Sequence, residues 1–537
     1  MSSKPQIKPK QLPNKQSASS KSNRKIFTHL LMIFACTFIS YLPSFNNGFT
    51  NWDDQEYVTN NTEIRSFTKD SIAYQFTKYH MGNYHPITML TYMVEYKIGE
   101  LNPKIYHTTN FIIHILNAAL VYFFIFLLCG KNNIAFIVSL LFAIHPMHVE
   151  SVAWVAERKD VLYAFFYFLS LCFYLKYRTD KKTSLYIFTF LTFVLALLSK
   201  AVAVTVPIVM LLIDYYFDKK ITTKNLISKI PFLVLSIVFG IIAVKAQESA
   251  KAIGELETYN LFERFLFLSY SLVMYIGKVI APFGLSAFCD YPLKINGSYS
   301  SIFYAAPVLL LLIGGGLFVL VKKFHEAFYG ILFFFITIFL VLQLLPVGGA
   351  IISERYTYIP YVGLFFIIAS LYENNSGKYK QVLTIGGTAC IIAFAYLTYE
   401  RCKIWKDSIS VWNDVIEHTT TSPKAYNNRG DAYNIAKQYE LALKDLDRCI
   451  QLKYDYPDAY YNRGLCYYYL GKYPEAIRDY DSAIQYNPEL AVAWFNRSGT
   501  YYALKNYPQA LSDVLKAKEL GKDIDPKYIE ALQAGIK

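Results

Sequence analysis

The sequence predicts an all-α chain in two unlike parts, a polytopic helical membrane region followed by a soluble array of helical repeats. Three observations predict it. Hydrophobic types make up 54% of the 537 residues and charged types only 17%, against about a quarter charged in soluble domains. Apolar runs near or above the ~18 residues that a spanning helix needs recur from residue 26 to about residue 397. Beyond Tyr399 the composition turns polar and a 34-residue period appears. The first two exclude an ordinary soluble enzyme, and the third excludes a uniform membrane bundle.

In chain order, residues 1–25 hold seven cations (Lys4, Lys8, Lys10, Lys15, Lys21, Arg24, Lys25), no acid, and much Ser, Pro and Gln. Such a segment cannot bury a core and is expected to be a disordered tail, kept on the cytoplasmic side by its charge. It accounts for about half of the formal net charge of +13. No basic groove, and so no nucleic-acid partner, is expected. The run 26–42 lacks a small-residue cleavage site and reads as a retained first helix rather than a signal peptide. The membrane domain is expected over 26–399, with further spans near 106–129, 134–144, 161–177, 185–198, 202–216, 231–244, 302–321, 328–345, 358–371 and 382–397. With the tail inside, the basic loops 176–182, 219–224, 322–323 and 378–380 all fall inside if 262–282 lies in the interface or re-enters without crossing. About eleven crossings result. They put the C-terminus on the opposite side, together with the polar segments 43–105, 146–160 and 348–356.

The final domain, 400–537, repeats itself. Ala425-Tyr-Asn-Asn-Arg-Gly430, Ala459-Tyr-Tyr-Asn-Arg-Gly464 and Ala493-Trp-Phe-Asn-Arg-Ser498 begin 34 residues apart, with Ala442, Ala476 and Ala510 in register behind them. This is the tetratricopeptide (TPR) period: small residues let two helices of a repeat approach, and large aromatics fill the space between repeats. About three repeats are expected. Residues 405–416 form a partial earlier one and 526–536 a solvating end helix. The eight cysteines show no CxxC pair or metal-ligand spacing.

Four segments on the non-cytoplasmic side carry candidate chemistry. Asp53 and Asp54, just past the first span, are adjacent carboxylates, and either can serve as a general base for an alcohol. A polar turn that satisfies backbone donors is the structural alternative. The run His145-Pro-Met-His148-Val-Glu150, followed by Glu157-Arg158-Lys159-Asp160, sets many ionisable groups beside apolar helices, a costly arrangement without a cavity, partner or water to face. Its cations can neutralise a phosphate and Glu150 can supply a second acid. His145, His148 and Glu150 could instead ligate a divalent metal. Lys200 and the pair Arg355–Tyr356 lie between apolar runs on the same side, where they can meet a lipid phosphate, or snorkel and anchor. His85, His107, Asn110 and His114 add polar groups around the second span, and ties between helices explain them equally well. Asn428, Asn462 and Asn496 recur on the first helix of each repeat and could bond an extended peptide, or pack repeat against repeat.

These stretches resemble the transmembrane and tetratricopeptide repeat-containing O-mannosyltransferases and their bacterial relatives, built on the GT-C glycosyltransferase fold. The likeness rests on Asn51-Trp52-Asp53-Asp54, on His85-Pro86-Ile87-Thr88 leading to Leu101-Asn102-Pro103, on the run from Leu141 to Asp160, on Leu198-Ser199-Lys200, on Glu354-Arg355-Tyr356 and on the terminal repeats. It implies inverting transfer of a sugar, a hexose such as mannose, from a polyprenyl-phosphate donor to an acceptor hydroxyl, protein Ser or Thr, on the non-cytoplasmic face. By motif, Asp53 or Asp54, with Asp53 slightly favoured, would be the base and Glu150 the second-loop acid. His85, His148, Arg158, Lys159, Lys200, Arg355 and Tyr356 would surround the donor phosphate, and the TPR domain would bind the acceptor or a partner protein. His85 stands where Arg precedes the Pro in many relatives. The Lys, Asn, Ile and Tyr bias and the short array point to a bacterial inner membrane with a periplasmic TPR domain. A divalent metal is a possible cofactor. A membrane-anchored TPR scaffold without enzymatic activity and a transporter are the competing classes, the latter disfavoured by acids and bases gathered at one surface.

Overall fold

The computed structural model describes residues 15–250, 259–294, 297–342 and 349–536, with side chains from residue 23 onward. Residues 1–14 of the expected tail, the end of the expected span 328–345, and Gly348 lie outside the described residues. Helix already begins at Lys15 and runs to Tyr41, so residues 15–25 are helical where a disordered tail was expected. Extending an existing helix fixes one residue per hydrogen bond gained and avoids the cost of a new nucleus.

Each expected apolar run lies on a helix: Lys15–Tyr41, Pro103–Cys129, Asn132–Ile144, Arg158–Asp180, Thr183–Ser199, Val206–Asp218, Ile230–Ser249, Ser301–Lys323, His325–Ile338, Tyr361–Glu373 and Gly377–Ile404. Among the described residues six helical stretches are long and apolar enough to cross a membrane, or seven if the bent pair Asn132–Ile144 and Pro146–Ala153 is one broken span. Three shorter apolar helices accompany them. The segment 262–282, expected not to cross, contains the amphipathic helix Leu261–Lys278, which is outside that set.

Local chemistry fixes the boundaries. Helix Pro103–Cys129 starts with Asn102 accepting from Lys104 N, carries Pro103 in its first turn, and stops at Gly130 in the left-handed region (φ +70°). Helices His325–Ile338 and Tyr361–Glu373 touch through Gly330 and Gly363, each lying against the other's carbonyl oxygen, an approach that any Cβ would block. Among the described residues the fold is helical apart from a two-stranded antiparallel ribbon that pairs Cys289–Asp290 with Ala350–Ile352. That ribbon brings residue 290 beside the Arg355 loop.

The last membrane-region helix continues past residue 399 to Ile404, and Trp405 is buried in the turn before helix Ser408–His418. Three helix pairs follow, Pro423–Ile435 with Tyr439–Leu452, Pro457–Tyr469 with Tyr473–Tyr486, and Ala491–Ala503 with Tyr507–Glu519, closed by Pro526–Ile536. Gly430 and Gly464 mark the close approach inside a repeat: an added Cβ would lie 2.7 Å from Leu446 Cγ and 2.8 Å from Tyr480 Cε1. The third repeat tolerates Ser498 there because its hydroxyl donates to Ala510 O at 2.7 Å.

Candidate active site

The two adjacent aspartates have different surroundings. Asp54 is buried: its Oδ2 accepts from Thr50 N (2.8 Å) and Thr50 Oγ1 (3.0 Å), and its Oδ1 accepts from Ala156 N (2.8 Å). It ties the first loop to the second. Burial raises its carboxyl to about 7, against the pull of those bonds. Asp53 is half-buried, and among the described residues its carboxylate makes no hydrogen bond or ion pair. Lys159 and Lys424 lie in its field. Asp53 is therefore the carboxylate free to accept a proton, whereas Asp54 holds structure.

The second loop turns by 60° at His145-Pro146, which sets Glu150 under the Arg355 loop. Glu150 Oε2 accepts from Arg355 N at 2.9 Å, and its Oε1 pairs with Arg355 Nη1. Arg355 Nε reaches Glu157 Oε1 at 3.3 Å, which also meets Lys159 Nζ at 3.1 Å. Lys200 pairs with Asp160 and lies 3.8 Å from Glu157 Oε2. Burial alone would raise Glu157, but Lys159, Arg355 and Lys200 bring it down to about 2. Arg355 and Lys200 keep part of their side chains exposed (16% each), so both can meet a ligand from the open side. Arg355 lies over the rings of Trp154 (5.7 Å) and the half-buried Tyr356 (5.1 Å).

Several expected ligand residues are engaged elsewhere. Arg158 is fully buried and donates to Asn110, Thr91 (3.2 Å), Glu95 (2.8 Å) and Tyr106 O (2.9 Å), which occupies four of its five donors; it braces the helices and leaves the phosphate set. Lys159 is buried against Tyr57 and Trp154 and donates to Ala156 O (3.0 Å), so it acts through Glu157. His148 shares Nδ1 with Phe142 O (2.8 Å) in a fully buried position, out of reach of a headgroup. Both nitrogens of His145 are used, by Val279 O and Met147 N. Among the described residues no group of three His, Cys, Asp or Glu side chains can hold a metal, so His145, His148 and Glu150 do not form the ligand set considered above. Burial holds His85 well below the ordinary imidazole range, and as a neutral ring it cannot balance a phosphate. Among the described residues its Nε2 has no hydrogen-bond partner, and the ring lines a cavity of about 30 Å³ with Lys200 and Gln247. His107, Asn110 and His114 bond Gly48 O, Val152 O and Ala143 O respectively, as ties between segments.

The site has a wall that the sequence did not announce. Asn51, two residues before Asp53, donates to Asn428 O (2.7 Å) and Asp431 Oδ2 (2.9 Å) and accepts from Trp412 Nε1 (2.9 Å), while Ser408 Oγ accepts from its backbone N–H (2.8 Å). The first repeat is thereby fastened to the first loop. Trp52 stacks on Trp154 (4.4 Å between centroids) and Trp154 on Trp405 (5.2 Å). Arg401 clamps Glu354 and Asp414, both at 2.6 Å. Burial raises Glu354 to about 8 despite that arginine. Two of the recurring asparagines join repeat to repeat, Asn462 donating to Asn427 Oδ1 (3.1 Å) and Asn496 to Tyr461 OH (3.0 Å), while Asn428 accepts from Asn427 beside it on the same helix (2.9 Å). Packing between repeats employs the side chains of Asn462 and Asn496.

An array of tetratricopeptide repeats behind a helical membrane-type domain defines the class. Family models described as "Tetratricopeptide repeat" match residues 423–456 and 457–490. Curated relatives extend the likeness into the first domain. A protein O-mannosyl-transferase of Caenorhabditis elegans is 25% identical over 78% of this chain and 62% of its own length. Protein O-mannosyl-transferase TMTC3 of Homo sapiens is 22% identical over 67% of this chain and 44% of its own. The chain thus spans about half of the length of these curated proteins and is a distant relative of them. An Archaeoglobus fulgidus oligosaccharyltransferase structure aligns over 78% of this chain and 59% of its own, with 14% identity and a TM-score of 0.44.

Proposed function

We propose that the protein is a membrane glycosyltransferase of GT-C type that moves a hexose such as mannose, with inversion, from a polyprenyl-phosphate donor to an acceptor hydroxyl, protein Ser or Thr, on the non-cytoplasmic face. The observation that carries this reading is Asp53: a half-buried carboxylate without a hydrogen bond or ion pair among the described residues, between Asn51, which is fastened to the first repeat, and a second-loop network joined to it through Trp52, which stacks on the Trp154 that Arg355 overlies. Asp53 takes the proton from the acceptor hydroxyl as its oxygen bonds to the anomeric carbon. The bond from that carbon to the phosphate oxygen breaks, and its electron pair leaves on the phosphate. Arg355 and Lys200, through their exposed faces, stabilise the charge that develops there. Glu150 positions Arg355 from beneath. A membrane-embedded body spares the prenyl tail from water, and a TPR array fixed beside the base raises the local concentration of a bound acceptor. The names of the curated relatives support the mannose and hydroxyl assignments. The basic inner loops and residue bias support a bacterial inner membrane with the array in the periplasm.

Incubation of the purified full chain with a panel of polyprenyl-phosphate hexoses and Ser/Thr peptides, followed by mass analysis, tests the reading. Peptide gaining one hexose is expected. Peptide capture with no mass gain from any donor would instead favour a scaffold.

A further inference from the structure

Lys200 pairs with Asp160 and keeps an exposed edge. On its other side, with Gly82, Asn83, His85, Ala243 and Gln247, it lines the cavity of about 30 Å³. Three hydrogen bonds between distant segments build the walls. Thr88 Oγ1 donates to Ser199 O (3.0 Å), which draws the start of helix Pro86–Gly99 against the residue before Lys200. Gln247 Nε2 donates to Gly82 O (2.6 Å), and Asn83 Nδ2 donates to Tyr57 OH (3.3 Å). Gly82 turns in the left-handed region (φ +71°), where an added Cβ would lie 3.0 Å from Ala250 Cβ. His85 is 2% exposed, and among the described residues its Nε2 is without a hydrogen-bond partner. A buried polar nitrogen left bare is costly, so an occupant of the cavity that bonds it is favoured.

Size and chemistry define that occupant. About 30 Å³ admits one water-sized group, and neither a phosphate nor a hexose ring. A neutral imidazole presents one N–H and one bare nitrogen. A hydroxyl answers either, because it both donates and accepts, whereas an ionised phosphate oxygen only accepts. We propose that His85 is a specificity-determining residue for the donor, and that the cavity takes the hydroxyl on C2 of the hexose. This inference deepens the transferase reading and rests on it. In that reading the exposed edge of Lys200 meets the leaving phosphate. C2 is bonded to the anomeric carbon, so its hydroxyl is the sugar hydroxyl nearest the oxygen that leaves. A phosphate held at Lys200 therefore brings the C2 hydroxyl, ahead of the others, to the nitrogen of His85. Hexoses that differ only at C2 direct this hydroxyl axially or equatorially, and a partner fixed on one side of the ring tells them apart.

The test is kcat/KM of the full chain with the best donor of the hexose panel and with its 2-deoxy counterpart, for wild type, His85→Phe and Ala243→Leu. His85→Phe keeps a ring and removes the nitrogen. Ala243→Leu fills the cavity from helix Ile230–Ser249 and leaves the histidine in place. The wild-type preference for the hydroxylated donor should fall by about tenfold or more in both variants, with transfer from the 2-deoxy donor changed by less than about twofold. Intrinsic differences in donor reactivity cancel in this comparison between variants. An equal fall with both donors in either variant, as expected of a ring that only shapes the loop or holds a water, would overturn the proposal and leave the transferase reading in place. Absence of transfer by the wild type from every hexose donor would overturn both.

Discussion

The repeat array and the membrane-boundary network use the same ion pairs in opposite ways. In the array, Arg429, Arg463 and Arg497 each grip an aspartate sixteen residues ahead with two bonds of 2.7–2.8 Å: Asp445, Asp479 and Asp513. Each also reaches sixteen residues back, to Asn413, Asp447 and Asp481. The forward links are all alike, the backward ones differ only in Asn413 standing where the others have Asp, and every partner named is supplied by the neighbouring helices of the array. At the boundary, Glu150, Glu157, Asp160, Lys200 and Arg355 come from three separate stretches, no link repeats, and among the described residues Asp53 makes no hydrogen bond or ion pair. A repeated, closed ion ladder is a packing device. A one-off network that joins three distant stretches is a device for holding particular side chains in place at one boundary.

The sharpest way to break this contrast is to remove a charge from the boundary. Glu150→Gln leaves the buried side of Arg355 with Glu157 alone, and breaking a buried pair costs about 3–5 kcal/mol. The thermal midpoint of the purified protein should fall by the largest margin of any single change considered, with transfer lost. In the ladder, Arg463→Met strips two bonds from the buried Asp479 and one from Asp447. We expect a loss of about 2–3 kcal/mol, read as early proteolysis of the array with the first domain still protected. If instead both domains lost protection together, the two regions would be one cooperative unit and the contrast would fail.

A smaller, pH-dependent effect separates the paired aspartates. A carboxyl raised in the folded state to about 7 holds its proton where the unfolded chain, near 4, has released it. Its contribution is therefore full below about pH 4 and is lost as pH rises through about 7, with a slope of at most about 1.4 kcal/mol per pH unit. Melting midpoints measured across that window should show a declining component in wild type that Asp54→Asn lacks; equal slopes in the two proteins would assign the component to another buried acid.

Much of this was legible in the sequence. The 34-residue period gave each repeat because its determinants are local, the Arg-Gly or Arg-Ser step and the alanine behind it. The apolar runs located the helices for the same reason. The roles within the site were another matter. Asp54 differs from Asp53 through bonds from Thr50 and from Ala156, the latter 102 residues away, and Arg158 differs from Arg355 because Glu95, Asn110, Thr91 and Tyr106 converge on one and not the other. Period alone left the repeat asparagines either bonding a peptide or packing repeat against repeat; Asn462 and Asn496 bond neighbours 35 residues away. The hold of Asn51 on the first repeat gave no sequence signal, because it depends on how two domains dock.

The central claim is that Asp53 is the base, and the initial rate of hexose transfer by Asp53→Asn tests it most directly, in protein whose melting midpoint matches wild type. A fall of about 10²–10⁴-fold is predicted, the usual contribution of a general base. Turnover within twofold of wild type would contradict it.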